Sequence, residues 1–273
     1  MNGKIFRQPE KGLFYKKERQ SMKLKYLLTL CLCLIFTLLA KAESPVDSYN
    51  QGIDAFKQGD YVQAVQAWKN ACNADYINAC FNLGLSYLDG QGVQKNEKQA
   101  AQFMEKSCNH NDVAGCFFLG EMYAKGRGVK QDYAKAVQLL EKACNGGVGE
   151  SCNNLGSLYL NGLGVKKNDK QANQIFEKAC ENGVAKSCHH LGNAYFHGDG
   201  VKQSYTQASK LYEKACNKDE IQGCIALAAL YLNGLGVKQN KATAKEYFKK
   251  SCNLGDQKSC IVYQMENPAL IIK

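Results

Sequence analysis

Cys108 to Cys144 read CNHNDVAGCFFLGEMYAKGRGVKQDYAKAVQLLEKAC, and this stretch decides the architecture because its spacing is copied along the chain. One cysteine series runs Cys72, Cys108, Cys144, Cys180, Cys216 and Cys252; a second runs Cys80, Cys116, Cys152, Cys188, Cys224 and Cys260. Both advance by 36 residues. A fixed period of this size marks one supersecondary unit stacked on copies of itself, so the expected fold is an all-α, right-handed α/α solenoid. Length alone, 273 residues, would suggest two domains of about 150 residues each, and the repeat overrides that estimate.

Within a unit, two helices are legible. Cys80, Leu83, Gly84 and Tyr87 fall at the i, i+3, i+4 and i+7 positions of one helical face. Five such segments run into glycine pairs, Gly90/Gly92, Gly126/Gly128, Gly162/Gly164, Gly198/Gly200 and Gly234/Gly236, which supply a helix stop and a tight loop. A second helix follows Asn96, Asp132, Asn168, Ser204 or Asn240, side chains that accept the orphan amides of a first turn. Small Ala100, Ala136, Ala172, Ala208 and Ala244 let the paired helices approach closely.

Each cysteine pair then joins the end of one second helix to the start of the next unit's first helix, a distance that a short turn between antiparallel helices can bridge. Seven residues separate each pair, whereas zinc sites usually set two cysteines two to four residues apart. An even set at fixed spacing reads as disulfides, pairing Cys72 with Cys80, Cys108 with Cys116, Cys144 with Cys152, Cys180 with Cys188, Cys216 with Cys224 and Cys252 with Cys260. That implies an oxidising compartment.

The remaining cysteines, Cys31 and Cys33, lie in an apolar run from Leu27 to Ala40 behind Lys23 and Lys25. The run is short for a membrane span, and Ala40-Lys41-Ala42 has the small-x-small form of a signal-peptidase site. The expectation is a signal peptide over 22–42, cleaved before Glu43, with residues 1–21 an extended leader ahead of a true start at Met22. The product is secreted or periplasmic. Residues 1–42 hold nine of the 35 basic and two of the 25 acidic residues, so the remainder carries 26 and 23, a net +3 rather than +10. That balance, without basic runs interleaved with aromatics, argues against a nucleic-acid partner.

The pattern A-x-x-L-G-x-x-Y-x-x-G-x-G-V in the first helix and loop, with A-x-x-x-x-E-K-x-C in the second, resembles the Sel1-like repeat, a relative of the tetratricopeptide repeat. With the added cysteine pair and leader, the chain is similar to the Helicobacter cysteine-rich protein family over about residues 46–260. The repeat solenoid is expected over 43–260, with 36-residue units 79–114, 115–150, 151–186, 187–222 and 223–258. Residues 46–72, with Gly59-Asp60-Tyr61 and no glycine pair, read as a tetratricopeptide-like pair. Residues 259–273 read as a capping helix and tail.

Activity is where sequence and resemblance diverge. The family resemblance implies β-lactam binding or hydrolysis, hence a hydrolase and antibiotic resistance. Yet no Ser has a Lys three residues later and no Lys-Thr-Gly occurs, so the serine-enzyme signature is missing and the catalytic residues are unknown. His110, His189, His190 and His197 are the only histidines and form no His-x-x-x-His. No cofactor or metal is expected. His190 and His197 lie seven apart on one helical face and read as surface residues, and Glu105-Lys106, Glu141-Lys142, Glu177-Lys178 and Glu213-Lys214 as a solvated edge.

The competing reading is a monomeric scaffold for a peptide or protein ligand, host or cell-wall-related, bound on the concave side that first helices line in stacked helix pairs. Asn82, Phe118, Asn154, His190 and Ala226 recur at one helical position. Ser86 and Asp89, Met122 and Lys125, Leu158 and Asn161, Ala194 and His197, and Leu230 and Asn233 extend that column over the next two turns.

Overall fold

A computed structural model describes residues 43–265. The expected leader, its cleavage site, Cys31, Cys33 and the tail beyond 265 lie outside the described residues. Among those described, thirteen helices and no strands occur, as six antiparallel pairs and a last single helix. The pairs are α1 (Pro45–Lys57) with α2 (Tyr61–Asn73), α3 (Ile77–Asp89) with α4 (Glu97–Asn109), and α5 (Val113–Lys125) with α6 (Tyr133–Asn145). They continue as α7 (Gly149–Asn161) with α8 (Asp169–Glu181), α9 (Ala185–His197) with α10 (Tyr205–Cys216), and α11 (Ile221–Asn233) with α12 (Lys241–Asn253). The closing helix is α13 (Gln257–Gln264).

Local chemistry explains the boundaries. Asn96, Asp132, Asn168, Ser204 and Asn240 each accept a hydrogen bond from the backbone N–H three residues on, capping α4, α6, α8, α10 and α12. The first helices α3, α5, α7, α9 and α11 end on left-handed glycines, for instance Gly126 at φ 67°. The second glycine of each loop has a different task. A β-carbon on Gly128 would fall inside the backbone carbonyl of Glu97, the first residue of the preceding α4, and Gly92, Gly164, Gly200 and Gly236 press likewise on Tyr61, Tyr133, Asp169 and Tyr205. Every loop therefore leans on the second helix of the unit before it.

Side-chain packing is a file of small clusters rather than one core. Met104, Leu140, Phe176, Tyr212 and Phe248 recur at one position of the second helices, all at most 3 % exposed. Four of them lie where a β-carbon on Gly84, Gly120, Gly156 or Gly192 would collide, so glycine on the first helix makes room for a large partner on the second. The fifth, Phe248, packs with Ala228. The alanines of the second helices, Ala100, Ala136, Ala172, Ala208 and Ala244, are fully buried at 0 %. Six disulfides, Cys72–Cys80, Cys108–Cys116, Cys144–Cys152, Cys180–Cys188, Cys216–Cys224 and Cys252–Cys260, close the turns between pairs, with Cα–Cα distances of 4.5–4.8 Å.

Candidate binding face

Because the glycine loops fix each first helix in one register, equivalent side chains recur on the face made by α3, α5, α7, α9 and α11. Asn82, Phe118, Asn154, His190 and Ala226 are all half-buried on it. Their continuation differs from the sequence reading. Ser86, Met122, Leu158, Ala194 and Leu230 are packed away, at 1–7 % exposure. With 3.6 residues per turn, positions i+3 and i+4 straddle the helical stripe, and contact with the second helices takes the i+4 residue inward. The accessible stripe runs instead through Leu85, Glu121, Ser157, Asn193 and Ala229, which are half-buried, to Asp89, Lys125, Asn161, His197 and Asn233, which are exposed. A signal was present: the buried position is apolar in four units of five, and the accessible one polar in three.

The central helices hold the face's polar groups in fixed orientations. Asn154 Nδ2 donates to Glu121 Oε1 at 2.9 Å, and Glu121 also pairs with Lys125 at 3.1 Å. Next to it, Asn153 Oδ1 accepts from Ser187 Oγ at 3.0 Å. Among the described residues, nothing engages Asn154 Oδ1 or the Asn153 amide N–H groups. A groove of ≈ 380 Å³ between α5, α7 and α9 is lined by Phe117, Glu121, Asn153, Asn154 and Lys186.

His190 is not a free surface residue. Its ring stacks on Phe176, with centroids 4.9 Å apart and planes at 23°. His189, 5.6 Å from His190, joins a short relay: Tyr212 Oη donates to Asn193 Oδ1 at 2.7 Å, which leaves Asn193 Nδ2 to donate to His189 Nε2 at 3.3 Å. Burial pushes both histidines below the ordinary 6.5, His190 also feeling His189 beside it. Burial raises the Tyr212 phenol. His197 lies at the exposed end of α9, outside this cluster.

Two of the four Glu-Lys steps, those of Lys106 and Lys142, need correction, while Lys178 and Lys214 are exposed; Lys250, which follows Lys249 rather than a glutamate, behaves like the first two. Lys106, Lys142 and Lys250 Nζ donate at 2.7–2.9 Å to the carbonyls of Cys72, Cys108 and Cys216, each 34 residues earlier. Lys106 and Lys250 further pair with Asp75 and Asp219. These lysines cap the preceding unit's second helix, where cations are favoured, while Glu105, Glu141, Glu177 and Glu213 are exposed. The turns between pairs carry positive φ at Asp75, Asn111, Gly147, Gly183, Asp219 and Gly255, a further 36-residue series that sequence reading missed. Its signal was a column of Gly, Asn and Asp, the residues that tolerate this backbone.

The serines beside the cysteine turns are taken up by packing. Ser107, Ser151, Ser187, Ser251 and Ser259 are buried; Ser107 Oγ donates to Asp112 and Ser151 Oγ to Leu140 O at 2.8 Å. Among the described residues no group of three His, Cys, Asp or Glu could hold a metal ion, and no helix is long and apolar enough to cross a membrane.

Comparison with known proteins fits this geometry. The Sel1 repeat family matches residues 77–112, 113–148, 149–184, 185–220 and 221–256. HcpC of Helicobacter pylori, a candidate β-lactamase by name, is 34 % identical over 77 residues, 28 % of this chain and 27 % of that protein. HcpD of the same species, named likewise, is 42 % identical over 48 residues, 18 % of this chain and 16 % of that protein. The matched stretch thus spans about a quarter or less of these relatives. A crystal structure of c5321, a protective antigen of uropathogenic Escherichia coli displaying an SLR fold, superposes with TM-score 0.78 at 28 % identity over 83 % of this chain and 50 % of that one. A Sel1 repeat protein from Oxalobacter formigenes gives 0.73 at 27 % identity over 78 % and 88 %.

Proposed function

The chain belongs to the Sel1 repeat family, and from that premise we propose that it is an exported, disulfide-stapled scaffold that grips an extended peptide or protein segment along the concave face of its first helices. Six bridges suit an oxidising compartment outside the cytoplasm. The observation that carries the reading is the adjacent pair Asn153 and Asn154. Each amide is anchored through one end, by Ser187 and by Glu121, so that a donor and an acceptor face the groove together. A peptide group offers the complementary acceptor and donor.

Affinity capture by the oxidised chain from periplasmic and extracellular fractions, followed by titration of the captured partner, tests this. Two neutral hydrogen bonds at roughly 0.5–1.5 kcal/mol each correspond to a loss of about 5- to 150-fold in the Asn153→Ala/Asn154→Ala variant. Its melting temperature should fall somewhat, because Asn153→Ala leaves the buried Ser187 hydroxyl without its acceptor, whereas Asn154→Ala alone, half-buried and anchored to Glu121, should melt near the parent. Normal binding with early melting would make the pair a packing element. The relatives' names raise a second reading, hydrolysis of a β-lactam amide. With the repeat serines buried and hydrogen-bonded, turnover of a chromogenic cephalosporin by the purified chain should be very slow and indifferent to chelators. Rapid, saturable hydrolysis would reverse the ranking.

A further inference from the structure

The amino-terminal end of the same face carries a second recognition element, one that rests on the scaffold reading and adds what the scaffold selects. Where α1, α2 and α3 meet, a hollow of ≈ 270 Å³ is walled by Ile53, Phe56, Trp68 and Leu85, with Asn82 and Asp89 beside them. That volume lies below the roughly 300 Å³ of the smallest drug-sized pockets, which suits one large side chain rather than a whole small molecule. Phe56, 39 % exposed, leaves apolar surface open at its edge.

Asp89 supplies an independent observation. It is the last residue of α3, where the terminal carbonyls already concentrate negative charge, so a carboxylate there works against the helix. The equivalent residues Lys125, Asn161, His197 and Asn233 are basic or neutral. Asp89 is exposed and, among the described residues, makes no ion pair. A charge placed at the unfavourable end of a helix, unpaired, on the wall of an apolar hollow is complementary to a cation brought by a partner. We propose that this hollow is the specificity subsite of the scaffold: it takes a large apolar side chain of the bound segment, whose neighbouring Lys or Arg pairs with Asp89.

The only tryptophan of the chain, Trp68, lines the hollow and reports on it directly. The probes are blocked hexapeptides Gly-Gly-Phe-Lys-Gly-Gly, Gly-Gly-Ala-Lys-Gly-Gly and Gly-Gly-Phe-Glu-Gly-Gly, titrated into the oxidised chain while tryptophan emission is followed. The Phe-Lys peptide should produce a saturable change, and the Ala-Lys peptide should bind about tenfold or more weakly for want of the buried ring. The Phe-Glu peptide should lose about fivefold, the scale of an exposed ion pair. In Asp89→Lys, which places at this position the residue that α5 carries natively, the order of the Phe-Lys and Phe-Glu peptides should reverse. Equal binding of the Ala-Lys and Phe-Lys peptides, or an unchanged order in the variant, overturns the subsite. If the captured partner still depends on Asn153 and Asn154 while ignoring Asp89→Lys, the subsite fails alone; if no peptide binds and no partner is captured, both readings fail.

Discussion

His189 and His190 sit among Phe176, Tyr212 and Asn193, with Lys186 and Glu220 the charged groups that His190 feels. Burial lowers both, so the unfolded chain takes up protons near the ordinary 6.5 while the folded chain resists. The unfolded state then binds more protons, and stability is lost as pH falls through that value towards the folded ones. The melting temperature should drop between about pH 7 and 5, and a His189→Gln/His190→Gln variant should show a flatter profile when the two melts are compared across that range; equally steep profiles would mean that other groups control it. Sequence could not place His190, since an i, i+7 spacing fixes a helical direction but not what stands opposite. Lys106 was opaque for a similar reason: its carbonyl acceptor on Cys72 lies 34 residues away, and no local pattern distinguishes such a cap from a solvated charge.

At the level of helices and loops, the two kinds of positive-φ glycine should respond differently to substitution. Gly147, at φ 96°, has open space around its missing β-carbon, whereas Gly128, at φ 68°, lies against the backbone of Glu97. Gly147→Ala should cost about 1–2 kcal/mol from backbone conformation alone. Gly128→Ala must in addition displace the loop from α4, so chemical denaturation should show a clearly larger loss; equal costs would mean the loop contact is slack. The helix starts, the glycine stops and the cysteine turns were legible because each is a local device with its own residue type, such as Asn96 or Gly126. The accessible face was legible only to within one residue. Leu85 and Ser86 are neighbours on the helix, and only the packing of α4 decides which of them turns inward.

For the whole molecule, stability is a sum over neighbours, because each unit touches chiefly the units before and after it. Closing a loop of about nine residues is worth roughly 2.5 kcal/mol in the chain-entropy model, so Cys108→Ala/Cys116→Ala should weaken the junction of α4 and α5 by about that much. Amide exchange should quicken there while α10 and α11 keep their protection; uniform loss along the chain would show a single cooperative body instead. The repeat period made the architecture legible from cysteines alone, since a 36-residue step allows only a stack. The ligand was not legible, because a binding face is defined by side chains from several units whose relative placement no single repeat records.

The second glycine of each loop rests on a helix start laid down 31 residues earlier, as Gly128 does on Glu97 and Gly236 on Tyr205. A chain that folds from its amino end exposes that helix start until the covering glycine arrives. For that time the opening turn of the newest second helix waits without its cover. A growing chain therefore always trails one unfinished repeat, and an oxidase or chaperone that attends it would meet the same short-lived shape again and again, once for each 36 residues made.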